Sequence, residues 1–186
     1  LKWARGLLIA LAIVAGAALI LDRLVGVERI VDEVTVPLRY EDIIRQQAER
    51  FELDPALIAA IINEESGFDD QTSAAGARGL MQITPDTADT IETLSGGETF
   101  VYEDLSNPDL NIRYGTFYFR HLLDRFDDNE VAALAAYNGG PENVVAWGGA
   151  ELELDDIEFP ETRAYVEAVL DEREQYREDR AEELGL

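Results

Sequence analysis

Glu64 and Glu65 stand side by side in the stretch "IINEESGF", residues 61–68, where an apolar run gives way to a serine and a glycine. A carboxylate at a solvated helix end does nothing beyond carrying charge. One turned toward a core is costly unless it is paired or protonated, and a protein that keeps one there usually uses it. Desolvation, with a like charge next door, raises the pKa of such a group, which a general acid working near neutral pH requires. The chemistry therefore depends on which way each carboxyl points.

Direction follows from the element that carries them. Asp54 suits an N-cap and Pro55 the first helical position, where its missing N–H costs nothing. Leu57, Ile58, Ile61 and Ile62 then recur with the spacing of one buried helical stripe. At about 100° per residue, Glu65 projects within roughly 10–20° of the stripe centre and Glu64 roughly 90° away. Glu65 is the inward acid, and Glu64 lies at the margin.

The composition narrows the chemistry further. The chain has 186 residues, 47% hydrophobic, with seven Tyr, seven Phe and two Trp, enough for one domain with a core. There is no Cys and a single His, His121, so a thiolate site, a histidine metal site or a histidine triad is not expected, and no metal or cofactor is implied. With 39 acidic residues against 15 basic ones, the formal charge is −24, and Lys2 is the only lysine. Such a surface repels nucleic acid. The acidity fits either a strongly solvated surface or a high-salt habitat in which the repulsion is screened.

The remaining elements read as helices. Residues 1–27 begin with Lys2 and Arg5 and run uncharged from Gly6 to Leu21. This segment is expected to be an uncleaved transmembrane anchor that holds the rest outside the cytoplasmic membrane. Ala15-Gly16-Ala17 offers the alternative of a signal peptide and secretion after cleavage. A connector covers 28–39. From 40 to 170 helical patterns start at Tyr40, Asp54, Thr84-Pro85, Asn107-Pro108, Asp128 or Asn129, and Pro160, with a short helix to Trp147. Leu110, Tyr114, Phe117, Leu122 and Phe126 mark the expected buried side of the long one. The Gly- and Ser-rich stretch 66–85 reads as a loop, Thr99–Tyr102 as a brief strand at most, and 171–186 as a charged, solvated helical tail. The fold class is all-α.

Four segments in order, "EESGF", "AAGARGLMQITPDTA", "LAAYNGGPENV" and "FPETRAYV", resemble the signatures of the soluble-type lytic transglycosylases, lysozyme-like enzymes that cut bacterial peptidoglycan. "NPDLNIRYGTFYFRHLLDRF" is similar to the long helix between the second and third signatures. The likeness runs from about Tyr40 to Leu170. It implies a lysozyme-like transglycosylase domain with Glu65, of the Glu65-Ser66 pair, as the catalytic acid. Met81 and Gln82 then match residues lining the sugar groove, Tyr137 and Asn138 the pair facing the cleavage point, and Glu161 and Tyr165 the polar residues of the last signature. By composition alone Met81 fits gap filling equally well, Gly76 and Gly79 fit backbone turns, and Glu161 a first-turn acid. The loop from Phe68 to Ser73 is a residue shorter than the family's commonest form. The resemblance implies cleavage of the β-1,4 bond between N-acetylmuramic acid and N-acetylglucosamine in peptidoglycan glycan strands, giving 1,6-anhydromuramoyl ends. A muramidase similar to goose-type lysozyme, or a non-catalytic wall-binding protein, are the alternatives; no protein partner is indicated.

Overall fold

Local chemistry sets where the helices start. A computed structural model describes residues 36–96 and 101–186. Leu1–Pro37 and Leu38–Leu186 form separate compact units. The first, apart from Val36 and Pro37, lies outside the described residues, and with it the expected anchor and most of the connector. No helix among the described residues is long and apolar enough to cross a membrane.

The second unit runs α1 Glu41–Phe51, α2 Pro55–Ser66, α3 Pro85–Leu94, α4 Pro108–Arg125, α5 Glu130–Gly139, α6 Pro141–Trp147, α7 Pro160–Asp179 and a last turn, α8 Ala181–Leu184. Short 3-10 turns sit at Tyr102–Ser106, Gly149–Glu151 and Leu154–Asp156. Asp54, Thr84, Asn107 and Asn129 each accept backbone N–H bonds at the start of α2, α3, α4 and α5. Proline occupies the first turn of α2, α3, α4, α6 and α7, where no donor is lost. The described residues contain no strand, only isolated bridges from Arg78 to Thr72 and to Ile83. Tyr102 opens a 3-10 turn, and Thr99 falls outside the described residues.

The helix carrying the two acids is buried on every side, not along one stripe. Every residue from Ala56 to Ile62 is at most 1% exposed. It packs against α1, α7 and α8, and its alanines let the neighbouring backbones come close. On the long helix α4, Tyr114 and Leu122, with Phe126 at its end, are buried as the apolar spacing predicts, but the inward face is wider than that spacing and shifted from it. Asn111, Ile112, Gly115, Thr116, Tyr118 and Phe119 are buried, while Leu110 and Phe117 are only partly covered. Polar and small residues hold the inner positions because they have work there: Asn111 bonds to backbone, and Gly115 makes room for Met81, whose Sδ would lie 2.4 Å from a Cβ at that site.

The charged tail also belongs to the compact unit. Tyr176 and Leu184 are at most 1% exposed, and Arg177 reaches back to Asp54 at 2.7 Å. Arg173 does the same to Glu130 at 2.5 Å. Residues 171–186 thus close over α2 where a solvated extension was expected.

Candidate active site

Glu65 lies in the last turn of α2, which Gly67 ends in a left-handed C-cap, its N–H bonded to the Asn63 carbonyl. Its carboxyl is half-buried, whereas Glu64 is exposed. The two acids therefore part as the helical angle predicts. Burial raises Glu65 to about 7, against the lowering pull of the Tyr165 hydroxyl, with the Glu64 charge adding to the rise. Near neutral pH it can both hold and release a proton.

In front of Glu65 runs a groove of two adjoining cavities, about 550 Å³ and 790 Å³, that share Thr84, Thr87, Tyr118, Tyr137 and Asn138. The inner one contains Glu65 and Gln82, and Glu65 is the only carboxylate on its wall among the described residues. Asp86 lines the outer one.

The loop between α2 and α3 forms one wall and is held by a buried amide. Asn111 Oδ1 accepts from the Met81 N–H at 2.7 Å, and its Nδ2 donates to the carbonyls of Leu105 at 2.9 Å and Arg78 at 3.0 Å. Gly79, at φ 73°, passes so close that a Cβ would stand 2.4 Å from the Leu105 carbonyl oxygen. Gln82 also takes a left-handed backbone, φ 45°, and its Nε2 donates to the carbonyls of Gly79 at 2.8 Å and Gln71 at 3.2 Å. Met81, matched to a groove-lining residue, has its side chain fully buried against Gly115; its carbonyl accepts the Tyr137 hydroxyl at 2.8 Å. Met81 therefore supports the wall from behind.

The opposite wall comes from α4, α5 and α7. Tyr137 is part-exposed at its ring and sunk at its hydroxyl, and it packs edge-on to Phe119 and tilted on Tyr118, with centroids 6.1 and 5.9 Å apart. Burial, the Glu65 charge and Tyr118 push its phenol well up, so it stays neutral. Asn138 is exposed on the groove, and its Oδ1 accepts from Thr162 Oγ1 at 2.9 Å. Tyr165 is buried near Glu65; its hydroxyl influences the carboxyl yet completes no hydrogen bond of good geometry, which leaves it ready for a partner. Ser66 Oγ turns away, donating to the Ile62 carbonyl at 3.1 Å. Glu161 is exposed in the first turn of α7 and outside both cavities. Glu65, Gln82, Tyr137 and Asn138 thus meet in one cavity, Tyr165 stands behind them, and Ser66, Met81 and Glu161 stand apart. Sequence reasoning passed over Tyr118, Thr84, Thr87 and Asn111; the start of α3 at Thr84 was the one available signal for the two threonines.

Residues 42–160 match the model of the transglycosylase SLT domain, well over half of the chain. The chain belongs to this family. This chain is 35% identical over 147 residues to the soluble lytic murein transglycosylase of Escherichia coli K12, covering 74% of this chain and 23% of that protein. Over 117 residues it is 33% identical to the membrane-bound lytic murein transglycosylase C of Edwardsiella ictaluri, covering 58% and 33%. An inactive mutant of the lytic transglycosylase Slt of Pseudomonas aeruginosa superimposes with a TM-score of 0.73 at 32% identity, over 79% of this chain and 25% of that one. The chain thus spans about a quarter of the soluble relatives' length. Glu161 and Tyr165, both on α7, lie just past the matched segment.

Proposed function

We propose that this SLT domain is a peptidoglycan lytic transglycosylase that cleaves the β-1,4 bond between N-acetylmuramic acid and N-acetylglucosamine, with Glu65 as general acid and then general base. One observation carries the reading: a single carboxyl, raised to about 7 by burial, lines the inner cavity, and among the described residues no second carboxylate lines it.

Glycosidic cleavage needs a proton on the leaving oxygen and stabilisation of the cationic sugar centre, and two-carboxylate glycosidases supply these separately. Here Glu65 would protonate the departing oxygen. The N-acetyl carbonyl of the muramoyl residue would attack the anomeric carbon, doing the work of the missing second carboxylate. Glu65, now ionised, would take the proton from the sugar's own 6-hydroxyl, whose oxygen closes the 1,6-anhydro ring. No cofactor is required by these steps.

Gln82, Tyr137 and Asn138 would hold the sugars over Glu65, and Tyr165 would steady its carboxyl through the two protonation states. Glu161 would reach the glycan from beside Thr162, the partner of Asn138. Ser66 and Met81 would act through the helix end and the loop wall. Residues 1–27 would anchor the domain outside the cytoplasmic membrane as a single pass, with secretion as the outcome if the segment is cleaved. Solubilisation of purified peptidoglycan by the wild type, Glu65→Gln and Glu64→Gln tests the assignment. Glu65→Gln should lose about a thousandfold or more and Glu64→Gln far less; the reverse order would overturn it.

A further inference from the structure

Asn138 lines both cavities of the groove, and a buried hydroxyl behind it decides which end of its amide a substrate meets. Thr162 stands in the first turn of α7 and is 1% exposed. Its Oγ1 donates to Asn138 Oδ1 at 2.9 Å, and among the described residues it makes no other hydrogen bond. A hydroxyl closed off from water carries one proton and needs an acceptor for it. Were the amide turned round, Nδ2 would donate, the hydroxyl would accept, and its own proton would be stranded. Oδ1 therefore faces Thr162, and Nδ2 is the end left for the groove. Among the described residues no protein oxygen accepts from that nitrogen, and Asn138 is exposed.

Packing keeps that hydroxyl in place. Thr162 is β-branched and stiff at χ1. Gly139, the last residue of α5, lies against it so closely that a Cβ there would stand 2.9 Å from Thr162 Oγ1 and 3.1 Å from its Cγ2. The Gly139 carbonyl in turn accepts from Asn143 Nδ2 of α6 at 2.7 Å. On the other side of Asn138, the Tyr137 hydroxyl is bonded to the Met81 carbonyl. The backbone around Asn138 is thus held from α6 and from the loop wall, and its side chain from α7. An exposed amide without such a hold turns freely about its last torsion, whose preference is broad, and offers donor and acceptor in alternation.

We propose that Thr162 is a positioning residue for Asn138: its hydroxyl locks the amide so that the groove meets N–H alone, and the glycan is held there through an acceptor oxygen. The lock makes that point of the groove selective, because a group that can only donate finds no partner. It also sets the amide before the sugar arrives, so little rotamer freedom is left to lose on binding. The nature of the ligand rests on the proposed function; the lock itself does not.

The test measures calorimetric affinity for peptide-free peptidoglycan glycan strands, in the full chain carrying Glu65→Gln so that turnover does not consume them. Thr162→Val keeps the shape and drops the proton, whereas Thr162→Ser keeps the hydroxyl; circular dichroism checks folding. Val should weaken binding by about fivefold to tenfold, and Ser should stay within about twofold. Asn138→Asp, of the same shape but without N–H, should weaken it at least as much as Val. Thr162→Val added to Asn138→Ala should change nothing further, since the hydroxyl acts only through the amide. With Glu65 restored, Thr162→Val should raise KM on peptidoglycan by the same factor and leave kcat within about twofold, the mark of a lost binding contact. Equal affinity with and without Thr162→Val, equal damage from Val and Ser, or an additive loss in the Asn138→Ala background would overturn the proposal. Full affinity in Asn138→Asp would overturn it as well, by showing that the amide accepts. A wild type that binds the strands yet releases no wall fragments would sink the proposed function and leave the lock standing; no binding by any variant would sink both.

Discussion

Removing the Glu65 carboxyl should stabilise this protein, and by an amount that grows with pH. Glu65 titrates at 4.5 when unperturbed and at about 7 in the folded site. Between those values the native state holds a proton that the unfolded chain has released. The stability linked to Glu65 is thus fully present below about pH 4.5 and is lost as pH rises through about 7. At about 1.4 kcal/mol per pKa unit, the loss reaches about 3 kcal/mol above pH 8, of which about 1 kcal/mol is already gone at pH 5.5. Glu65→Gln has nothing to titrate and escapes both. Its advantage should therefore widen by about 2 kcal/mol from pH 5.5 to pH 8.5, or about 4–8 °C in Tm for a chain of this size. Paired melting curves of wild type and Glu65→Gln at the two pH values measure it, and both lie above the sequence pI of about 4.1, where solubility would interfere. A Tm difference that stays constant across the interval would mean that the folded site leaves the carboxyl hydrated. The general-acid argument would then lose its basis.

The other expectations concern the walls of the groove and the working pH. The alkaline limb of the kcat/KM profile should bend near pH 7 and then fall about tenfold per unit, because the free enzyme must present Glu65 protonated; a flat profile to pH 9 would contradict this. Tyr137→Phe removes the donor to the Met81 carbonyl and should cost about 1–3 kcal/mol of stability, read as a shift in the urea midpoint. Asn111→Ala strips partners from the Met81 N–H and the Arg78 and Leu105 carbonyls at once. It should cost about 3 kcal/mol or more and raise KM, since the loop wall loses its tether.

Helix starts and the inward turn of Glu65 were legible because their causes are local. Asp54-Pro55, Thr84-Pro85 and Asn107-Pro108 carry capping oxygens and N1 prolines within two residues, and each helix begins there. The angle between Glu65 and Glu64 follows from helical geometry alone, and it sorts the half-buried acid from the exposed one. What stayed hidden depends on contacts distant in sequence. The inner face of α4 carries Asn111, Gly115, Thr116 and Tyr118 beside the expected Tyr114 and Leu122; their polarity or size breaks an apolar period, so the periodicity favours Leu110 and Phe117, which are only partly covered. Asn111 earns its buried place through three bonds to segments 6 to 33 residues away. The tail's charges likewise read as solvated until Arg173 and Arg177 find Glu130 and Asp54, with Tyr176 and Leu184 buried beneath. Met81 follows the same logic: its place in the second signature suggests the groove, while Gly115 opposite it leaves the room in the core that its side chain fills.

The mass of the released sugar ends tests the central claim most directly. Purified peptidoglycan is digested with the domain, with and without chelator, and the soluble muropeptides are weighed. If the muramoyl 6-hydroxyl is the final nucleophile, no solvent atom enters. Every new end should then be about 18 mass units lighter than a hydrolysed reducing end, one water. The account predicts anhydro ends throughout, unchanged by chelator and absent with Glu65→Gln. Reducing ends in their place would show that water reaches the anomeric carbon, and the protein would be a muramidase in a transglycosylase family.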